Sequence, residues 1–382
     1  MGAGTNDSPG EPAHRSLRVL MTADAAGGVW QYCLDLVAGL VQKDAEILVA
    51  TLGPRPSPEQ KKQILAFSRV TLAEGDYALE WMPDPWRDVE ASGKWLLQLQ
   101  SEFQADVIHL NGYAHASLPW RKPVLVTAHS CVYSWWRAVH ACAPGEEWAE
   151  YKRRVIAGLE ASDLATAPSH YMADGIQSEY GIHREKIRII HNFSRASRSS
   201  TKEKQPFLLA AGRMWDPAKN LALLAKLAPK LDWEIRVAGN DPSPPPSEPH
   251  RGSIRSLGIL SHRELLRQMS QCSIFLHPAL YEPFGLAVLE AARAGCCLVL
   301  SDIPSLRELW DDAAIFIHPH DSDRWIFELN RLSNDSTARQ ALGNRAYRHA
   351  RKYRAGAAIG KYWNLYQALL RSKDSAKKGV AA

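Results

Sequence analysis

The stretch from Tyr281 to Glu290, which reads YEPFGLAVLE, is the most informative part of the chain for the fold. An apolar run at residues 274–277 precedes it and is typical of a buried strand. Pro283 indicates a turn, and the apolar residues after Gly285 recur at helical spacing. The stretch therefore predicts a strand, a loop and a helix that begins near Gly285. Because the first N–H groups of a helix are unpaired and carry partial positive charge, we expect an anion to bind there.

The same alternation of apolar runs and helical patterns extends outward in both directions. Strands that alternate with helices favour parallel sheets covered on both faces, so we expect an α/β protein with two doubly wound domains. The expected strands lie at 17–21, 47–52, 107–110, 124–128, 164–167 and 187–190 in the first domain, and at 207–211, 234–238, 254–257, 274–277, 298–301 and 314–317 in the second.

A polar stretch that begins near residue 194 and lacks apolar periodicity predicts the boundary between the domains. Ligands of doubly wound sheets bind at the carboxyl ends of the strands, and a cleft between two domains is the default site. The expected divisions are a disordered tail at 1–16, an N-terminal domain at 17–195, a linker at 196–205, a C-terminal domain at 206–355, a helix at 356–372 and a disordered tail at 373–382.

Two cations follow the first strand of the second domain. Arg213 and Lys219 bracket a turn that leads into a predicted helix. Arg and Lys beside a helix N-terminus suit a diphosphate. Standing alone, a loop Arg and Lys are usually solvated surface charges. Their position opposite the loop of Glu282 favours a binding role.

Two glutamates, Glu282 and Glu290, frame the start of the predicted helix with seven residues between them. A random pair of glutamates on a helix is usually solvated. Apolar residues flank Glu290 on both sides, so we expect it to lie in a largely buried helix. A carboxylate in such a place needs a partner.

Two further candidates follow strands of the first domain. Gly27 and Gly28 lie at a strand-to-helix turn, where glycine lets the backbone approach a ligand closely. Turn chemistry alone would also explain them, and this turn lacks the G-x-G-x-x-G fingerprint of dinucleotide-binding proteins. His129 follows the strand at 124–128 and is a candidate polar group of the cleft, although a lone His is more often structural.

Composition narrows the choice of partners and compartment. The 46 Lys and Arg residues against 41 Asp and Glu residues give a net charge of +5, which permits anionic small molecules or a membrane surface but is too weak to argue for nucleic acid. The six cysteines form no C-x-x-C pair and are too sparse for a disulfide scaffold. Neither a signal peptide nor a transmembrane run is apparent. We therefore expect a cytoplasmic protein.

Taken together, these segments resemble glycosyltransferase family 4, the retaining nucleotide-sugar transferases of GT-B fold. The resemblance runs from about residue 17 to residue 370, and the block from Glu282 to Glu290 is its most specific part. The matching segments are Gly27-Gly28, Thr127 to His129, Ala167 to Ser169, Ile189 to Asn192, Ala211 to Arg213 with Lys219, Glu282 to Gly285 with Glu290, and Gly295.

The resemblance implies a role for each of these positions. Arg213 and Lys219 would hold the donor diphosphate. Glu282 would contact hydroxyls of the transferred sugar, and Glu290 would bind the donor ribose. His129 would sit close to the reacting sugar. The implied catalytic residues are His129, Glu282, Arg213 and Lys219, and the implied donor-binding residues are Gly27, Gly28, Arg213, Lys219, Leu260, Glu282, Phe284, Gly285, Leu286 and Glu290.

The resemblance also implies the partners. The donor is a nucleotide-diphosphate sugar that acts as a co-substrate, so no resident cofactor is expected. No metal is implied, because two cations and a helix terminus can neutralise the diphosphate. The acceptor would be a saccharide, a lipid-linked molecule or a small molecule, and a peripheral contact with the inner membrane face is compatible with the aromatic residues. The C-terminal helix would pack back onto the first domain.

Two other functions are compatible with the same fold. A nucleotide-sugar epimerase or hydrolase needs no acceptor, so a donor-only reaction would identify it. A non-catalytic, transferase-like scaffold subunit predicts loss of the cations or the glutamates, all of which are present. We therefore expect a hexosyltransferase that acts on a hydroxyl of its acceptor. Retention of the anomeric configuration is implied by the resemblance alone.

Overall fold

The computed structural model describes residues 15–25, 27–196, 203–239 and 253–380. Most of the expected tail at 1–16, most of the expected linker and residues 381–382 lie outside these ranges. Two parallel sheets form the frame, which confirms the doubly wound α/β architecture. The first sheet contains β1 (Arg18–Asp24), β2 (Glu46–Leu52), β3 (Val70–Glu74), β4 (Val107–Leu110), β5 (Val124–Thr127), β6 (Leu164–Ala167) and β7 (Ile187–Ile189).

The second sheet begins at Gln205, one residue inside the expected linker. Its strands are β8 (Gln205–Ala211), β9 (Ile235–Ala238), β10 (Ile254–Gly258), β11 (Cys272–His277), β12 (Cys297–Ser301) and β13 (Ile315–Ile317). The strand orders are β3-β2-β1-β4-β5-β6-β7 and β10-β9-β8-β11-β12-β13. In each sheet the first strand of the domain, β1 or β8, lies in the interior. The strand order reverses direction beside it, which is the topological switch point of a doubly wound sheet.

Helices cover both sheets. In the first half they are α1 (Gly28–Val41), α2 (Pro58–Leu65), α3 (Trp86–Phe103), α4 (Val132–His140), α5 (Ala149–Ala161) and α6 (His170–Tyr180). In the second half they are α7 (Ala222–Leu227), α8 (His262–Gln271), α9 (Leu286–Arg293), α10 (Pro304–Trp310), α11 (Ser322–Asn334), α12 (Ser336–Ala350) and α13 (Ala355–Val380). None of the helices in the described ranges has the length and apolar composition that a bilayer crossing requires.

Strand β3 is the one strand of the first sheet that the sequence patterns do not predict. It lies at the sheet edge and pairs with β2 alone, with Val49 opposite Leu72. Its side chains are exposed or half-buried, so the segment lacks the continuous apolar run that marks the central strands. Central strands are buried on both faces and therefore show that run.

Buried apolar side chains cover both faces of each sheet. Along β1, Leu20 packs into one core, whereas Val19 and Met21 pack into the other. Along β8, Leu208 and Leu209 divide between two cores in the same way. Each such side chain contributes about 1.5–3 kcal/mol by its removal from water. These rigid cores hold the loops at the carboxyl ends of the strands.

Helix α13 packs against the N-terminal domain. Tyr362 and Tyr366 are buried in the core that covers α1, and the Tyr366 hydroxyl lies 2.6 Å from His109 Nδ1. The helix runs to Val380, so the expected tail at 373–382 is wrong for residues 373–380. This segment contains three lysines, which favour helix, and Lys373 Nζ lies 3.0 Å from Asp163 Oδ1.

The two domains are hydrogen-bonded to each other where α6 begins. The N–H groups of His170 and Tyr171 donate to the two oxygens of Glu308 on α10, at 2.7 and 2.8 Å. Ser169, the residue before α6, donates its hydroxyl to the Pro283 carbonyl at 2.7 Å. A carboxylate at a helix N-terminus satisfies unpaired N–H groups and complements the helix dipole. These bonds fix the first domain against the Glu282 loop.

Candidate active site

Glu282 lies at the centre of a polar cluster at the carboxyl end of β11. Lys219 Nζ lies 2.7 Å from its Oε2 atom, and His277 Nε2 lies 3.1 Å from the same atom. The backbone N–H of Gly285 donates to Oε1 at 2.9 Å. The exposed fractions of the Lys219 and Glu282 side chains are 17% and 14%, so the pair is mostly removed from water. The structure thus joins two of the implied catalytic residues.

The charge of Glu282 is stabilised by these partners. Burial by itself would raise the pKa of this carboxyl, but the Lys219 ammonium and His277 hold it well below its usual range. The ionised carboxylate therefore keeps Lys219 in a fixed place. Lys219 and Glu282 approach from loops of two different strands, so this pair also fixes the position of one loop against the other.

The Glu282 carboxylate should make the stability of the protein depend on acid pH. The pKa of this carboxyl is lower in the folded chain than in the unfolded chain, where it is about 4.3. Its contribution to the free energy of unfolding is therefore complete above the unfolded pKa. That contribution is lost as the pH falls towards the folded pKa. We expect the stability advantage of the wild type over Glu282→Gln to shrink below about pH 4. Urea unfolding from pH 7 downward measures this difference, and a pH-independent difference would contradict it.

Arg213 lies in the loop after β8 and is held by Asp216. Its Nη2 atom lies 2.7 Å from Asp216 Oδ2, and its guanidinium lies 5.1 Å from the centre of the Trp215 ring. Asp216 is buried, and its other oxygen accepts from Trp135 Nε1 at 3.1 Å. Because Trp135 belongs to the N-terminal domain, the first domain helps to position this cation. The Arg213 side chain is 44% exposed and can reach a ligand.

The Gly27-Gly28 turn lies against the second domain. A methyl group at Gly27 would lie 3.7 Å from Arg213 Nη1, and one at Gly28 would lie 3.7 Å from Leu286 Cδ1. Gly27 has a φ of 143°, which favours glycine. A larger side chain here would fill the space beside Arg213. The structure therefore brings both glycines to the cation and to the start of α9.

The loop before α9 has the geometry of an anion-binding helix start. Gly285 has a φ of 83°, and the first helical residue is Leu286. The Gly285 N–H already binds Glu282, so the N–H groups of the following residues are the ones offered to a ligand. Phe284 is buried against Tyr353, with ring centres 5.4 Å apart, and anchors the loop.

Glu290 lies apart from the Glu282 cluster, in a second polar network. Its Oε1 atom lies 2.7 Å from His262 Nε2 and accepts from Ser194 Oγ at 3.2 Å. Burial would lower the pKa of His262, but its hydrogen bond and charge interaction with Glu290 raise it above the ordinary value. The partner that a buried carboxylate needs is thus His262. Leu260, two residues before it, packs on the adjacent core.

His129 is a neutral group at the carboxyl end of β5. Its Nε2 atom lies 2.7 Å from Asn111 Oδ1, and burial lowers its pKa to about 3. The side-chain NH₂ of Asn111 donates to the Thr22 carbonyl, so the Asn111 oxygen is the atom that faces His129. Because this oxygen can only accept, the ring proton of His129 is assigned to Nε2. His129 Nδ1 is then an acceptor. The next residue, Ser130, donates its hydroxyl to the hydroxyl of Tyr281 at 3.4 Å. Since Tyr281 directly precedes Glu282, this contact brings the His129 segment next to the Glu282 loop.

Several residues of the site escaped the sequence analysis. Asp216, His277, His262 and Asn111 orient the implied catalytic or donor-binding groups. His277 and Asn111 each end or follow a buried strand, which is the same signal that identified His129. Asp216 and His262 carry no comparable signal, because their partners are identified only by the folded chain. Among the described residues, no three His, Cys, Asp or Glu side chains converge on a point that could hold a metal ion.

The arrangement can hold a diphosphate. Two cations and a helix N-terminus meet at the carboxyl end of the second sheet, and two glycines of the first domain leave space beside them. Fixed donors of this kind stabilise negative charge that develops on a leaving group. Removal of one such donor costs about 2.7–4 kcal/mol of transition-state stabilisation in comparable sites.

Sequence comparison relates the chain to transferases of known name. The chain is 25% identical to the O-antigen chain mannosyltransferase RfbU of Salmonella typhimurium over 193 residues, which cover 47% of this chain and 54% of that protein. It is 29% identical to the glycogen synthase of Mycobacterium tuberculosis over 236 residues, which cover 54% of each chain. The chain therefore spans about half the length of these relatives.

The solved structures show the same fold. Sucrose-phosphate synthase from Thermosynechococcus elongatus superposes with a TM-score of 0.75 at 16% identity, over 94% of this chain and all of that one. Residues 26–198 match the family model Glycosyltransferase Family 4, and residues 193–349 match the model Glycosyl transferases group 1. The two models together span most of the sequence, which confirms the resemblance: the chain belongs to the group 1 glycosyltransferases of GT-B fold.

Proposed function

We propose that this protein moves a hexosyl group from a nucleotide-diphosphate sugar to a hydroxyl of a saccharide acceptor. The observation that carries this proposal is the convergence of Arg213, Lys219 and the start of α9 opposite Gly27 and Gly28. The relatives named above, a mannosyltransferase of the O-antigen chain and a glycogen synthase, support a hexosyl donor and a saccharide acceptor.

The proposed chemistry follows from the charges. Breaking the bond between the sugar and the phosphate places positive charge on the sugar and negative charge on the leaving diphosphate. Arg213, Lys219 and the helix N-terminus stabilise the negative charge, so no metal is required by this proposal. Glu282 lies beside Lys219 and would hold hydroxyls of the sugar, and Glu290 with His262 would hold the ribose. A retaining outcome rests on family membership.

His129 would act as a hydrogen-bond acceptor in this scheme. Its low pKa of about 3 keeps the ring uncharged at neutral pH. A neutral imidazole with its proton on Nε2 can accept from a sugar hydroxyl through Nδ1. We therefore propose that His129 orients a hydroxyl of the reacting sugar and does not supply a positive charge. The six cysteines are all unpaired, which agrees with the proposed setting in a reducing cytoplasm.

A thermal-shift screen with UDP, GDP and ADP tests the donor site. A ligand at 100 times its dissociation constant stabilises the protein by about 2.7 kcal/mol, which raises the melting temperature. We expect one nucleotide to raise it and Lys219→Ala to abolish that rise. If none of the three nucleotides, nor their common sugars, shifts the melting temperature, the donor proposal is wrong.

Donor turnover measured with and without an acceptor distinguishes sugar transfer from epimerisation or hydrolysis. An epimerase or hydrolase would convert the donor sugar at full rate without an acceptor. We expect donor turnover to depend on an added saccharide and to rise with its concentration. Acceptor-independent turnover at the same rate would favour the hydrolase or epimerase instead.

A further inference from the structure

The positive charge of the chain is concentrated near its C-terminus. Nine of the 46 Lys and Arg residues lie between Ser336 and Lys373, a segment that contains no Asp or Glu. The rest of the chain has fewer cations than its 41 Asp and Glu residues, so the positive net charge comes from this one segment. It covers α12, the turn that follows and most of α13. Such an asymmetry of charge indicates a surface that meets an anionic partner.

Five of these cations form one exposed surface where α12 ends and α13 begins. Arg345 and Arg348 are three residues apart on α12, so they share one face of the helix. The N–H of Lys352 donates to the His349 carbonyl at 3.0 Å, which continues the turn, so Lys352 follows Arg348 at helical spacing. We name this surface the basic corner. Its members are all exposed, and they are Arg345, Arg348, Arg351, Lys352 and Arg354.

Inward-facing residues hold the basic corner in place. Gly343, Ala346 and Ala350 are buried on the face of α12 opposite the cations. In the turn after α12, Tyr353 is buried and donates its hydroxyl to the Leu309 carbonyl at 2.6 Å. The backbone beneath the cations is therefore fixed, and the five charges are held near one another without further folding.

The contacts of the basic corner leave its charge largely unopposed. Arg345 Nη1 donates to the Asp312 carbonyl at 3.3 Å, and Arg354 Nε donates to the Arg351 carbonyl at 3.1 Å. Both acceptors are uncharged. Asp312 is thus close to the corner, as is its neighbour Asp311, but no ion pair within the described residues joins a carboxylate to any of the five cations. Five cations against two carboxylates leave a surplus of positive charge.

Helix capping explains only part of this charge. Cations in the last turn of a helix complement its dipole, which accounts for Arg348 and the cations that directly follow α12. Arg354 directly precedes the first residue of α13, where the helix dipole favours a carboxylate and disfavours a cation. The stability of α13 therefore gives no reason for Arg354, and its position points to a partner outside the chain.

The chemistry of the basic corner fits the head groups of an anionic lipid bilayer. Single-stranded nucleic acid is held by aromatic rings on which its bases stack, but Tyr353 is buried and Tyr347 is half-buried. A bilayer surface needs no stacking, because it attracts clusters of Lys and Arg by charge alone. Each cation near an anionic bilayer strengthens binding by about fivefold, the equivalent of about 1 kcal/mol.

We propose that the basic corner is a docking surface for an anionic lipid bilayer. The contact depends on cations at the end of α12 and not on the aromatic residues of the chain. The inference goes beyond the proposed function and does not depend on it, because none of the proposed donor contacts involves these five residues.

Sedimentation of the full chain with lipid vesicles tests this proposal. One set of vesicles contains phosphatidylcholine alone, and the other contains phosphatidylcholine and phosphatidylglycerol in equal parts. We expect the chain to bind the anionic vesicles at least about tenfold more tightly than the neutral ones. An increase of ionic strength from about 0.05 M to about 0.5 M should release it, because salt screens exposed charges. Equal binding to both vesicle types, or no binding to the anionic vesicles, overturns the proposal.

A triple variant locates the binding on the basic corner. Arg345→Gln, Arg348→Gln and Lys352→Gln, combined in one protein, remove three charges and leave the buried face of α12 unchanged. We expect its affinity for the anionic vesicles to fall by about 100-fold, which is three times the loss of one cation on a free-energy scale. Wild-type affinity in this variant overturns the assignment.

A matched control removes the same net charge elsewhere. It combines Arg87→Gln, Arg121→Gln and Lys226→Gln, which change exposed cations of α3, of the loop before β5 and of α7. Its affinity for the anionic vesicles should stay within about threefold of the wild type, because screening limits charge effects to about 10 Å. Equal losses in the two triple variants would assign the binding to net charge and overturn the proposal.

The nucleotide melting shift, measured on the same proteins, reports folding and separates the two proposals. If the shift persists in the basic-corner variant while vesicle binding is lost, the variant is folded and the docking surface is supported. If anionic vesicles bind through the corner but no nucleotide shifts the wild type, the donor proposal fails and the docking surface stands. Binding of an RNA oligonucleotide by a wild type that ignores anionic vesicles would assign the corner to nucleic acid and overturn the proposal.

Discussion

Replacing Arg213 with alanine is expected to lower the rate of sugar transfer by about 10²–10³-fold and to leave the folded structure nearly unchanged. The side chain is 44% exposed, so its removal opens no cavity in the core. Asp216 keeps two of its partners, Trp135 and the Ala218 N–H, after the change. The loss should therefore fall on the leaving diphosphate, which would have one fixed cation fewer.

A matched control exists on α11. Arg324 pairs with the buried Glu328 at 2.5 Å and lies 5.2 Å from the ring centre of the exposed Phe327, much as Arg213 pairs with Asp216 and lies over Trp215. Arg324→Ala should keep wild-type activity, because none of the proposed donor contacts involves it. Steady-state rates with a saturating donor compare the two variants. Near-normal transfer in Arg213→Ala, or equal losses in both, would remove Arg213 from the diphosphate site.

The largest effect on stability is expected from Gly158→Ala near the C-terminal end of α5. A Cβ atom at this position would lie 2.0 Å from the Tyr113 carbonyl oxygen, which is backbone. Tyr113 cannot easily move, since its N–H binds Glu80 and its hydroxyl binds the Ser130 carbonyl. We expect the variant to lose about 3 kcal/mol or more, near the upper end of overpacking penalties. The melting temperature should fall by about 5–10 °C.

Gly360→Ala in α13 is the matched control for this change. Both glycines are interior helix residues, but a Cβ atom at Gly360 would have no heavy atom within 4 Å. Alanine favours the helix by about 0.5–1 kcal/mol over glycine, so this variant should be slightly more stable than the wild type. Thermal unfolding of both variants measures whether the melting temperature falls in Gly158→Ala and rises in Gly360→Ala. If Gly158→Ala unfolds no earlier than Gly360→Ala, the packing of α5 on the Tyr113 backbone is looser than described.

The central strands and the loop before α9 could be predicted from local patterns. Strands such as β5 and β11 are buried on both faces, and burial of both faces requires a continuous apolar run that is visible in the sequence. The loop at Pro283 and Gly285 carries its own turn chemistry, because a φ of 83° selects glycine. Strand β3 escaped because an edge strand needs no such run.

The candidate residues were also identifiable, but their partners were not. Glu290 was expected to need a partner because its neighbours are apolar, yet nothing in the sequence points to His262 as that partner. Glu308 caps α6 from another domain, and a glutamate within a short helix gives no sign of that contact. The pocket at the carboxyl ends of β1, β2 and β4, which Glu80 and Asn111 line, exists only where three strand ends and a loop meet.

The alternation of strands and helices, the loops that follow them and the cations and carboxylates of those loops can all be read from local patterns, because periodicity and turn preference act between near neighbours. Which charges meet depends on the folded chain. Lys219 and Glu282 are 63 residues apart, Trp135 and Asp216 are 81 apart, and Ser194 and Glu290 are 96 apart. Such contacts depend on how two sheets and two domains are placed against each other, and no local preference encodes that placement.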